Sequence, residues 1–247
     1  MSWIANRLAR LAHKAIGSSR VLPDGELIAV AVSGGADSLC LLCLLESLNR
    51  KNTHNWELRA VHVEPGFEGW NSARIVRTCR AIGVECAVIR IGVPTGAGPS
   101  RHDSCYRCAR ARRKALFSYC DRIGSRKLAL AHNLDDVNET FLMNLLYTSS
   151  ARTILPTQPL FEGRLTIVRP LYYADKTLVG RYLKSAGIRT ARNRCPYERS
   201  SSRETVRRFL KRRYAEDARI RSNLFAGLHN IKPEYLPRPR HSAGVRP

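Results

Sequence analysis

The stretch Val30-Ala31-Val32-Ser33-Gly34-Gly35-Ala36-Asp37-Ser38 constrains this chain more than any other. An apolar run meets two adjacent glycines, and a helical pattern begins at once, with Asp37 or Ser38 near its N-cap. Paired glycines let the main chain approach an anion, and first-turn N–H groups with the helix dipole attract phosphate. Ser33 and Ser38 can add hydroxyl donors to the same oxygens. No Gly-Lys-Ser/Thr follows, so this is not the kinase or ATPase P-loop. The plainer alternative is a tight strand-to-helix turn capped by Asp37. Ser-Gly-Gly-x-Asp-Ser straight after an apolar strand makes that the weaker reading.

The rest of the chain repeats the same alternation. Residues 3–16 space Ile4, Leu8, Leu11, Ala12, Ala15 and Ile16 as an amphipathic helix docked on the domain, and Pro23-Asp24-Gly25 is a turn. Strands are expected at 27–32, 58–63, 85–91, 127–131 and 165–168. Helices are expected at 37–49, 72–82, 107–123, 136–147 and 176–186. This succession predicts an α/β fold with a doubly wound, mostly parallel sheet and ligands at the carboxyl ends of its strands. Glycine and proline make 92–102 a mobile excursion, and from about Arg189 the pattern weakens into a basic segment.

A second polar block, His132-Asn133-Leu134-Asp135-Asp136-Val137-Asn138-Glu139-Thr140, follows the apolar run 128–131. Two adjacent carboxylates at a strand's carboxyl end suit Mg²⁺ near a triphosphate. Asp135 or Asp136 can equally cap the next helix, one carboxylate for each task.

The eight cysteines stand at 40, 43, 79, 86, 105, 108, 120 and 195. Arg7, Arg10 and Lys14 interrupt any secretory leader, so reduced thiols or metal ligands are expected rather than a disulfide framework. Cys105 and Cys108 begin a basic helix containing Arg107, Arg110, Arg112, Arg113 and Lys114, a setting that favours thiolate. Such thiolates can hold a metal, form a redox disulfide or carry sulfur. Cys195 is a third candidate ligand, and His102 or His132 would complete a zinc site. Cys40 and Cys43 lie among leucines and read as core, as do Cys79, Cys86 and Cys120.

Charge narrows the partners. In 247 residues, 42 Lys and Arg face 20 Asp and Glu, a formal charge of +22. A polyanion is the simplest offset to that self-repulsion. The 44% apolar content allows a packed core, and no run is long enough to span a bilayer. Basic residues crowd 101–127 and 199–222, flanking the candidate ligand cysteines. Arg207, Arg208, Lys211, Arg212 and Arg213 cannot all share one helix face. Tyr106, Tyr197 and Phe209 are candidates to stack a base, with core or interface packing as the alternative.

Residues 33–38 resemble the SGGxDS signature of the PP-loop, or N-type ATP pyrophosphatase, families, which split ATP between the α and β phosphates. Residues 128–140 are similar to the strand–GHxxDDxxET–helix block of the tRNA-modifying members. The order of PP-loop, CxxC, HxxDD and lone distal Cys resembles the iron-sulfur tRNA 2-thiolation branch, from about Ile28 to Leu210, and Ile167 to Leu171 looks like it too. The resemblance implies a PP-loop, adenine nucleotide alpha hydrolase-like domain at 26–190. An N-terminal helix and turn would occupy 1–25, a basic helical segment 191–232 and a flexible tail 233–247.

The same resemblance implies ATP on Ser33, Gly34, Gly35, Asp37, Ser38, His62, Ala131 and Asp136. Asp37, Asp136 and Arg112 would be catalytic, with Mg²⁺ on Asp37 or Asp136. Cys105, Cys108 and Cys195 would hold a [4Fe-4S] cluster whose fourth iron receives sulfide. The implied activity is cytoplasmic: adenylation of a tRNA pyrimidine at C2, with cytidine leading, and replacement of that oxygen by sulfur. A sulfur donor, either a cysteine desulfurase persulfide or sulfide, is implied as a partner, and a homodimer is consistent with the branch. Departures exist: Ala36 stands in place of the common Lys, Ala131 in place of the usual Gly, and no second Cys follows Cys195. Two alternatives remain. One is a lysidine-synthetase-like tRNA ligase, which needs none of the three cysteines. The other is a zinc-stabilised RNA-binding protein with a degenerate ATP site.

Overall fold

The computed structural model describes residues 3–17, 21–52, 54–67, 69–92, 101–191, 195 and 202–235, with the side chains of 52 and 101–105 outside the description. Six strands form one sheet: β1 (Leu27–Ala31), β2 (Glu57–Glu64), β3 (Cys86–Arg90), β4 (Lys127–Ala129), β5 (Thr157–Leu160) and β6 (Leu165–Val168). Their order is β3-β2-β1-β4-β6-β5. Every pairing is parallel except β5 with β6. From β1 the chain winds outward through β2 and β3, then crosses back to lay β4 on the other side of β1. That reversal is the topological switch point at which open α/β sheets bind ligands. The phosphate loop after β1 and the HNLDD block after β4 both emerge there.

The helices are α1 (Trp3–Ile16), α2 (Ala36–Asn52), α3 (Ser72–Ile82), α4 (Arg101–Arg122), α5 (Leu134–Thr148), α6 (Lys176–Ser185), α7 (Ser202–Glu216) and α8 (Arg219–Gly227). Strand alternation divides the core in two. Ile28 and Val30 of β1 face a layer containing Leu8, Leu41, Leu45, Ile75 and Leu178 from α1, α2, α3 and α6. Ala29 faces Leu116, Tyr119 and Cys120 of α4, with Val61, Leu128 and Ile167 alongside. Residues Leu39 to Leu45 are all buried, Cys40 and Cys43 included, because α1 and α6 cover the side of α2 that would otherwise meet solvent. No described helix is long and apolar enough to cross a membrane.

Two differences from the expected pattern stand out. β5 is an edge strand in a stretch to which the pattern assigns no element. It contains Pro159, which an edge tolerates because no neighbour needs its N–H. Its hairpin turns through Phe161, Glu162 and Gly163, all at positive φ. Helix α4 starts at Arg101 rather than near Cys105, so 101 and 102 belong to the helix; 93–100 lie outside the described residues. Pro233–Tyr235 forms a single 3-10 turn at the head of the expected tail, and 236–247 lie outside the description.

Candidate nucleotide and metal site

The phosphate loop is tied down by its own serines. Ser38 Oγ accepts from the Ser33 amide at 3.1 Å and donates to the Gly35 carbonyl at 3.0 Å. The Ser33 and Ser38 hydroxyls lie 3.1 Å apart. Asp37 is therefore inside the first turn of α2 rather than its cap. Gly34 has φ +84°, and a Cβ there would sit 2.8 Å from Ile75 Cδ1 of α3 and 3.1 Å from the Ala191 carbonyl oxygen. Only glycine fits. The Gly34 carbonyl accepts from the Ala191 amide at 2.9 Å, so the segment that leads to Cys195 is joined to this loop.

His62 is buried behind the loop. Its Nδ1 lies 2.7 Å from the Val32 carbonyl and its Nε2 accepts from the Trp70 indole at 3.0 Å. Burial lowers its basicity, so the neutral ring donates from Nδ1 to Val32. Both nitrogens are thus engaged by protein. The His62 ring thereby steadies the strand end before Ser33.

Across the switch point, α5 is capped by Asn133, not by Asp135 or Asp136. Asn133 Oδ1 accepts from the Asp136 amide and Asp136 Oδ2 from the Asn133 amide, both at 3.1 Å. This is a capping box whose three-residue spacing was visible in the sequence. Asp135 accepts from the Lys176 amide at 3.0 Å and from Arg221 at 3.2 Å, so it fastens α6 and α8. Asp136 keeps its other oxygen 3.8 Å from Lys176 Nζ. Burial, followed by the Asp136 charge, pushes the Asp37 carboxyl up to about 6 against the opposing charge of Lys176. Two carboxylates repelling each other at the end of a phosphate loop are a setting a divalent cation would relieve.

Glu139 is 2% exposed and surrounded by cations: Lys176 Nζ at 3.1 Å, Arg207 Nε at 3.0 Å and Arg203 Nε at 3.5 Å. Burial alone would raise its carboxyl, but the Arg207 hydrogen bond and the Lys176 charge outweigh it and hold the group below its ordinary value. Arg203 also donates to Thr140 at 2.9 Å, and Asn138 donates to Tyr214 and the Arg221 carbonyl at 3.0 Å each. The polar face of the HNLDDVNET block therefore docks α7 and α8. Sequence reading did not foresee this use.

A second charge feature surrounds His132. Arg169, 4% exposed, donates from Nε to His132 Nδ1 at 3.1 Å and gives its other hydrogen bonds to the neutral Leu155 carbonyl and Gln158 Oε1. Burial and then the charges of Arg169, Arg203, Arg112 and Arg113 press His132 down to about 3. With Nδ1 accepting, the ring hydrogen is on Nε2. Arg112, expected near the nucleotide, adds its charge to the field felt by this ring. A buried Arg169 against a neutral imidazole, with the charges of Arg112, Arg113 and Arg203 added, gives a positive potential that suits an anion.

Cys105 and Cys108 stand one turn apart on α4, as residues five and eight of the helix rather than at its start, so the helix terminus does not act on them directly. The side chain of Cys105 lies outside the described residues, as does that of His102. Cys108 and Cys195 are half-buried, in contrast to the buried Cys40, Cys43, Cys79 and Cys120. Burial pushes the Cys43 thiol up to about 11 and Cys120 up to about 12, which keeps them protonated. Cys79 is fully buried as a core residue should be, whereas Cys86, also expected in the core, is only half-buried at the start of β3. Among the described residues no three His, Cys, Asp or Glu side chains gather around a metal position. Thiols on α4 and at Cys195 are soft ligands of the kind that iron-sulfur takes. Tyr106 and Phe209 are 68% and 53% exposed, which removes core packing as their role, while Tyr197 lies outside the described residues.

Residues 4–214 match the PP-loop domain. A tRNA-cytidine(32) 2-sulfurtransferase of Syntrophotalea carbinolica is 34% identical over 239 residues, covering 93% of this chain and 91% of that one. Another, of Pelobacter propionicus, is 31% identical over 235 residues, covering 93% and 87%. The solved U34-tRNA thiolase of Methanococcus maripaludis with its [4Fe-4S] cluster shares the fold, with a TM-score of 0.74 at 22% identity over 93% of this chain and 80% of that chain.

Proposed function

The chain belongs to the PP-loop domain family, and from that premise we propose that it is an ATP-dependent tRNA 2-sulfurtransferase acting on cytidine. The observation that carries this reading is the bond from Ala191 to Gly34, which joins the approach to Cys195 to the phosphate loop. Activation of an oxygen and delivery of sulfur must occur at one carbon, so the two machineries must meet. Relatives named for this activity match nearly the whole chain.

The loop amides of residues 33–38, with the Ser33 and Ser38 hydroxyls, bind the ATP phosphates at the N-terminus of α2. Asp37 and Asp136 would hold Mg²⁺, which neutralises charge on the departing pyrophosphate. The cytidine C2 oxygen attacks the α-phosphorus; the bond to the β-phosphate oxygen breaks and pyrophosphate leaves. Arg112, with the other arginine charges felt at His132, would stabilise negative charge building on phosphate. Sulfide then adds at C2, the C2–O bond breaks and AMP departs. Cys105, Cys108 and Cys195 would hold the [4Fe-4S] cluster, which when bound supplies an open iron for the sulfur.

The catalytic unit spans 26–190, and 191–232 adds the third cysteine and basic helices that grip tRNA phosphate. A desulfurase persulfide or sulfide is the donor, the enzyme works in the cytoplasm, and a homodimer belongs to the same reading. Iron and labile-sulfide analysis on anaerobically purified protein tests it. About four iron and four sulfide per chain, lost in Cys195→Ser, are expected. One zinc and no iron would overturn it in favour of an RNA-binding protein. Neither metal in folded protein would overturn it in favour of ligase chemistry.

A further inference from the structure

Away from the site, α3 and the edge strand β3 enclose a groove of about 740 Å³ lined by Glu64, Ser72, Val76, Arg77, Arg80, Val88 and Arg90 among others. Arg77 and Arg80 are exposed and one turn apart on α3, and Arg90 stands opposite on β3. No acidic side chain among the described residues forms an ion pair with Arg77 or Arg80. The one carboxylate in the groove, Glu64, is already engaged, accepting from Ser72 Oγ at 2.6 Å and lying 3.4 Å from Arg90 Nε. Val76 of α3 and Val88 of β3 add apolar side chains to the lining.

Arginine forks match phosphate oxygens in pairs, and apolar side chains accommodate the sugars between phosphates. A flexible polyanion with regularly spaced charges fits this arrangement better than a single small anion, which would use one arginine. The opposite side of α3 presents Ile75, fully buried and packed against Gly34 of the phosphate loop. One helix therefore touches the nucleotide loop with its inner face and the groove with its outer face.

We propose that this groove takes a length of tRNA ribose–phosphate backbone, a contact additional to the basic segments 101–127 and 199–222. It rests on the tRNA reading above. The test is binding of unmodified tRNA across a salt series by wild type, Arg77→Glu and Arg80→Glu, with Lys51→Glu at the far end of α2 as a charge-matched control. Each groove variant is expected to lose about tenfold in affinity, and the slope of log K against log salt should flatten by about 0.7–0.9. Lys51→Glu should change neither, and ATP affinity without RNA should hold in all variants. Groove variants that behave like Lys51→Glu in intact tRNA binding would overturn the groove alone. A wild type that binds no tRNA would overturn the reading beneath it.

Discussion

Asp37 is under the most electrostatic tension of any residue in the phosphate loop. Its folded value near 6 lies above the usual carboxylate range because of burial and Asp136. A carboxyl raised on folding contributes stability that disappears as pH rises from the unfolded value, about 3.9, to the folded one, and the cost is constant above that. Asp37→Asn is therefore expected to match wild-type stability below about pH 4. It should gain through the pH 4–6 window and at pH 8 be more stable by on the order of 2–3 kcal/mol, while pyrophosphate release falls away. Denaturation at pH 4 and pH 8 checks both signs. Asp37 was legible because its chemistry is local: the glycines, the serines and the carboxylate lie within six residues. Lys176, which opposes that charge, and Arg169, which sets the His132 tautomer, were not. Lys176 lies 139 residues beyond Asp37 and Arg169 37 residues beyond His132, with no spacing to announce either.

Helix α5 shows how one element serves two ends. Its first turn faces the phosphate loop, and its next turn, through Glu139, holds Lys176 of α6 with Arg203 and Arg207 of α7. Glu139→Ala would leave three cations without their buried partner, at a cost of roughly 3–5 kcal/mol. The expected result is early proteolysis and fast amide exchange in α7 and α8, while the sheet stays protected. Because the Glu139 carboxyl is held below its ordinary value, wild type should approach the same state in acid, as pH falls through that lowered value. Uniform destabilisation of the whole chain in either case would contradict the latch. The sequence made α5 legible as a helix and its carboxylates as chemistry. It did not reveal the docking role, because the partners of Glu139 sit in arginine-rich stretches that read as solvated surface. β5 was missed for a related reason: four residues with a proline look like a loop until β6 pairs with them.

At the scale of the molecule, the net charge of +22 and the switch point of the sheet act together. The sheet was legible from alternating apolar runs, since periodicity is a property of every strand and helix at once. The placement of charge was not, because it depends on which faces the packing leaves outside. Self-repulsion on this scale predicts that a polyanion such as heparin raises Tm by several degrees at about 50 mM salt. The gain should vanish by about 500 mM as screening shortens to a few ångströms. The bond between Ala191 and Gly34 has a practical consequence for anyone handling the protein. If Cys105, Cys108 and Cys195 hold the cluster as proposed, air that strips its iron would also loosen the segment bonded to the nucleotide loop through Ala191. Aerobic preparations should then fail first in ATP affinity, and an assay run on the bench would register an oxidised thiolase as a defective ATPase.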